Sequence, residues 1–108
     1  MTSLIVLCTC PDEAVAERLA TSLVEEHLAA CVNRLPGVKS TYRWQGGIHH
    51  DTEQLLLIKT THERFDALRD RIIALHPYAL PEVIALEVVA GLDRYLDWIE
   101  METKLVRT

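Results

Sequence analysis

Two thiols separated by one residue, Cys8 and Cys10, are the first side chains in the sequence able to do chemistry. In an extended strand side chains repeat every two residues, so both project from the same side. Thiolates favour Cu(I) and other soft ions. The second pair that would make a structural zinc site is missing, and cysteine is also among the most buried residue types, often a small hydrophobe. Cys31 is expected to pack. The next candidate is His76, in "HPYALPEV" (His76–Val83). It closes a predicted helix, where the dipole favours an imidazolium by up to about 2 kcal/mol. A metal needs the neutral ring, so helix cap and ligand compete for this side chain. His49 and His50 are strand neighbours that point to opposite faces, which does not suit chelation of one ion. His27 is expected at the edge of an apolar stripe, and His62 in solvent at a helix start. Lys59 interrupts the apolar run "LLLIKTT" and calls for a carboxylate or a bound anion, with Glu82 a candidate partner. Tyr42, Trp44 and Tyr78 are amphipathic rings of the kind favoured at interfaces.

The elements that must position these groups can be read in order. "SLIVLCT" is a short run of strand formers. Pro11, Asp12 and Glu13 suit the first turn of a helix, whose apolar stripe (Val15, Leu19, Leu23, Leu28) extends to about Ala29. Two long extended runs flank Gly46-Gly47 and predict a hairpin, with a bend at Pro36-Gly37 because proline is excluded from a regular inner strand. Thr60-x-x-Glu63 fits a capping box before a second helix through Phe65, Leu68, Ile72 and Leu75, which Pro77 ends. "EVIALEVVAG" (82–91) predicts the last strand, and "LDRYLDWIEMETKLV" (92–106) a closing helix. Pro77 and Pro81 stiffen the loop that carries His76, Tyr78 and Glu82. The order βαββαβ plus a C-terminal helix is an α+β, ferredoxin-like arrangement with an antiparallel sheet.

The chain has 108 residues, which predicts one domain over 1–108. Its formal charge of -5 argues against general nucleic-acid binding, which needs a basic patch. The N-terminus reads as a strand and not a signal peptide, and no run approaches a membrane span. Three cysteines without a disulfide framework point to a reducing, cytoplasmic setting. The strands "LIVLC", "LLLI" and "VIAL" carry apolar residues on both faces. A sheet with one wet face should alternate, so a second subunit is expected to cover what one chain cannot.

"LAACVN" (28–33), "PGVKSTYRWQG" (36–46), "LLIKTT" (56–61), "HPYALPEV" (76–83) and "YLDWI" (95–99) together resemble the CutA family of divalent-cation tolerance proteins, across nearly the whole chain. The resemblance implies a ferredoxin-like subunit, a homotrimer with an architecture like the PII signalling proteins, and a cytoplasmic protein linked to copper and other divalent metal ions. It implies no reaction and no obligatory cofactor. Its copper ligands, a strand-one cysteine and a histidine pair, fall on Cys8 and His76, while the first histidine of the pair falls on Leu75. It also implies an inter-subunit cleft that Tyr42, Trp44, Lys59, Tyr78 and Glu82 could line.

Four functions compete. The first is a trimeric metal-binding protein. The second is a small-ligand signalling or adaptor trimer, against which stands the absence of a Gly-rich phosphate loop. An enzyme with Cys8 as nucleophile needs a base, and His76 alone is available. An RNA-binding module of the same strand order would carry a glycine-aromatic strand signature, which is missing. The expectation is a metal-binding protein that is not an enzyme.

Overall fold

The computed structural model describes residues 2–104. Its elements are β1 (Ser3–Cys10), α1 (Glu13–Glu25), β2 (Cys31–Trp44), β3 (Gly47–Thr61), a 3-10 turn (His62–Arg64), α2 (Phe65–Leu75), β4 (Ile84–Glu87) and α3 (Asp93–Glu102). The four strands form one antiparallel sheet in the order β2-β3-β1-β4, the ferredoxin-like α+β arrangement.

The even-numbered positions of β1 face α1 and α2. Leu4, Val6, Cys8 and Cys10 pack with Leu56 and Ile58 of β3 against Ala16, Leu19, Leu23, Leu68 and Ile72. The odd positions face the other way. Cross-strand pairs align Leu86, Ile5, Lys59 and Cys31 in one row, and Ile84, Leu7, Leu57 and Asn33 in the next. α3 packs on this second face and leaves much of it open: Ile84 and Leu86 are 53% and 55% exposed.

Local chemistry sets the boundaries. Asp12 caps α1 by accepting a 2.9 Å hydrogen bond from the Val15 N–H. The helix stops at Glu25, four residues short of the predicted end. His27 turns to φ +57°, and the Leu28 N–H then bonds the Leu23 carbonyl at 2.9 Å while His27 N–H bonds Val24. This left-handed cap closes the helix over the buried Leu23 and Leu28. The apolar stripe beyond Glu25 is therefore buried connection, not helix.

The expected bend at Pro36-Gly37 is a β-bulge: Leu35 pairs with Leu55 but Val38 with Glu53, and Gly37 has φ +74°. The hairpin turn is centred one residue earlier than predicted, on Gln45 and Gly46. Their φ angles of +50° and +80° fit a two-residue turn, and Gly47 already pairs with Trp44. β1 pairs only with Gln54–Thr61 of β3. Residues 38–53 thus continue past β1 as a two-stranded arm.

Two further boundaries differ from the sequence reading. Thr60 caps nothing; its buried hydroxyl donates to the Leu28 carbonyl at 2.7 Å, and a 3-10 turn precedes α2. β4 is four residues long because β1, its one partner, ends at Ser3, where Val88 N–H makes the last bond. The predicted closing helix ends at Glu102 with Thr103 as its cap; positions 105 and 106 of that prediction lie outside the described residues.

Candidate metal centre and adjoining groove

α2 delivers His76. The residue before Pro77 is forced out of helical backbone, and His76 adopts φ −80°, ψ 136°. Its N–H still completes the last helical turn with Ile72 at 2.8 Å, but its ring swings toward β1. Ring Nε2 donates to the Thr9 carbonyl at 2.8 Å, and Nδ1 accepts the Tyr78 N–H at 3.1 Å. One nitrogen donates and the other accepts, so this is the neutral tautomer. The ring also packs on Tyr78, centroids 4.7 Å apart.

Cys8 and His76 come together within one chain. The sulfurs of Cys8 and Cys10 and one ring nitrogen of His76 all lie within 4.8 Å of one another. Both cysteines are fully buried and His76 is 7% exposed. The hydrogen bond with Cys10, and then burial, push the Cys8 thiol far above its ordinary range. The same bond pulls Cys10 down, against the opposing effect of burial. Two sulfurs and one imidazole are a soft donor set, suited to a thiophilic ion. Leu75 packs against the core instead of presenting a second imidazole.

Thr9 links this cluster to a groove of about 760 Å³, which it lines together with Tyr42, Trp44, Glu53, Tyr78 and Glu82. Tyr42 and Trp44 come from the arm, Tyr78 and Glu82 from the proline-braced loop. The Tyr42 hydroxyl donates to Asp51, and Tyr78 donates to the buried Glu53 at 2.8 Å. Burial, then Glu53, raises the Glu82 carboxyl above its ordinary value. Burial and the bond to Glu53 raise Tyr78.

Lys59 is apart from the groove. It donates to the Tyr95 hydroxyl at 3.0 Å, which holds it protonated, and among the described residues no ion pair joins it to Glu82. Glu53 escaped the sequence reading because "HHDTEQ" looks uniformly polar. Register alone could not have found it: Glu53 shares a sheet face with Leu55 and Leu57 that the chain covers only in part, and it is met by Tyr78 from the proline-braced loop.

A family model described as "CutA1 divalent ion tolerance protein" matches residues 4–102. The chain is 52% identical over 99 residues to the "Divalent-cation tolerance protein CutA" of Thermus thermophilus, covering 92% of this chain and 96% of that one. It is 43% identical over 102 residues to "Protein CutA, chloroplastic" of Arabidopsis thaliana, covering 94% of this chain and 56% of that protein. A solved structure of the Thermus thermophilus protein superposes with a TM-score of 0.93 at 51% identity, over 94% of this chain and 99% of that one.

Proposed function

The chain belongs to the CutA1 divalent ion tolerance family, and from that premise we propose that it is a cytoplasmic homotrimer that binds copper or another divalent metal ion through Cys8 and His76. The observation that carries the reading is the convergence of thiol and imidazole within 4.8 Å. Copper would be held by the Cys8 sulfur and a His76 nitrogen, the latter exchanging a backbone hydrogen bond for the ion. Three further observations support the assembly and the setting. The second sheet face is apolar and half covered, the arm has no packing partner in its own sheet beyond β2, and all three described cysteines are free thiols. Among the described residues no helix is long and apolar enough to cross a membrane, and the net charge of -5 opposes nucleic-acid binding. The reading is of a binding protein and not an enzyme, because the family is named for ion tolerance and not for a reaction.

The groove favours a second reading, a PII-like small-ligand adaptor whose inter-subunit clefts use Tyr42, Trp44, Tyr78 and Glu82, with Lys59 brought in only by a neighbouring subunit. Equilibrium dialysis against Cu(II) and Zn(II), beside a nucleotide panel, separates the two. The expected result is metal uptake that Cys8→Ser and His76→Ala abolish, that Leu75→His strengthens, and that falls as pH drops because both ligands must be deprotonated. Nucleotide binding without metal uptake would instead establish the adaptor.

A further inference from the structure

We propose that Cys10 is the third protein ligand of this centre, and that the completed site takes copper as Cu(I) in preference to Cu(II). The inference rests on the metal-binding reading above. Cys8 and His76 alone give a two-donor site. Cys10 lies on the same side of β1, within the same 4.8 Å cluster, and like Cys8 has no exposure to solvent. No second imidazole comes from Leu75, a partly buried side chain packed on the core. Both sulfurs have no solvent exposure and His76 only 7%, which favours a donor from the chain over water. Cys10 is the third donor that completes the cluster.

The donor set then chooses the oxidation state. Cu(II) prefers tetragonal nitrogen and oxygen ligands, whereas thiolates select Cu(I). Two sulfurs without solvent exposure and a buried imidazole can satisfy Cu(I) with protein donors alone. Uptake moves no electrons: each thiol releases a proton, two Cu–S bonds and one Cu–N bond form, and His76 Nδ1, already unprotonated, gives up the Tyr78 N–H for copper while Nε2–H keeps its bond to Thr9. This site differs from a cysteine plus histidine-pair centre in one donor, a thiolate in place of an imidazole.

The test is an anaerobic titration of the intact protein with Cu(I), kept reduced by ascorbate, in competition with bicinchoninate, together with X-ray absorption at the copper edge. Wild type should take up one Cu(I) per chain with two sulfurs and one nitrogen, and bind it at least tenfold more tightly than Cu(II). Cys10→Ser should lose at least tenfold in Cu(I) affinity and show one sulfur. Cys10→Ala, which buries no hydroxyl, should behave alike and keeps the test valid if the serine disturbs the core. Cu(I) held through one sulfur in wild type, or unchanged affinity in Cys10→Ala, overturns the role of Cys10 while leaving the metal-binding reading intact. Equal affinity for the two oxidation states overturns the preference. A wild-type chain that takes up neither copper ion nor zinc overturns both readings.

Discussion

Thr9 joins the thiol and imidazole cluster to the groove. Its carbonyl holds the His76 ring, its neighbours on both sides are the two buried thiols, and its side lines the groove. Two predictions belong at this scale. Cys8 and Cys10 should resist a maleimide in the folded protein and react once it is unfolded, because both sulfurs lie out of reach of solvent in the core and the Cys8 thiol is also pushed up; mass spectrometry of labelled protein reads this directly. Glu82 has its carboxyl raised by burial and by Glu53. A raised carboxyl contributes stability that is complete below its ordinary value of 4.5 and is lost as pH rises through the folded value. Glu82→Gln should therefore melt higher than wild type at pH 7, with the gap closing below pH 4.5; a gap that does not change with pH would refute this.

Each helix ends without a basic residue of its own in the last turn, and the chain supplies the missing donors from elsewhere. Arg64 donates to the His27 carbonyl past α1 at 3.4 Å, Arg18 to Leu75 at the end of α2 at 3.0 Å, and the His27 ring to Glu102 at the end of α3 at 3.0 Å. These exchanged caps satisfy carbonyls that a helix terminus leaves open and tie the helices to one another. They also account for a non-glycine residue in the left-handed position after α1, since glycine there would have no ring to offer α3. The Thr60 hydroxyl performs the same service for Leu28 in the core. Thr60→Val, nearly equal in shape, should cost about 1–3 kcal/mol by stranding a buried carbonyl, measured by denaturant unfolding. The strand and helix order was legible from periodicity, and the bulge and the end of α2 from Pro36, Gly37 and Pro77. The end of α1 was not, because a histidine in place of glycine hides the cap. The end of β4 was not, because it depends on where another strand stops. Thr60 was misassigned because the sequence offered a local helix cap, while the fold supplied Leu28; within one chain Lys59 likewise meets Tyr95 instead of a carboxylate.

At the scale of the molecule, the half-covered sheet face is the feature that a single chain does not resolve. Ile84 and Leu86 stand exposed beside the half-buried Ile5, Leu7 and Leu57 in the same two rows, an apolar face on which a second subunit could pack. Light scattering at micromolar concentration should return three times the mass of one chain. Leu86→Glu should lower that mass without unfolding the subunit, because its side chain projects from the exposed side of an edge strand and not into the core. A trimer that survives this change would place the interface elsewhere.

The arm built from residues 38–53 has a consequence in the time domain. It reaches roughly 20 Å beyond β1 at the rise of an extended chain, and the molecule is accordingly long, 45 Å against 31 and 22 Å. An isolated two-stranded ribbon is marginally stable, so in a lone subunit its amides are protected only by local opening and closing. The amides of Cys8 and Leu56, inside the core, are released only when the whole domain unfolds. Deuterium uptake should therefore split into a fast class on the arm and a slow class in the sheet centre. In the proposed trimer, dilution should accelerate the first class as soon as subunits part, while the second moves only by as much as assembly adds to global stability, making the arm a clock for dissociation.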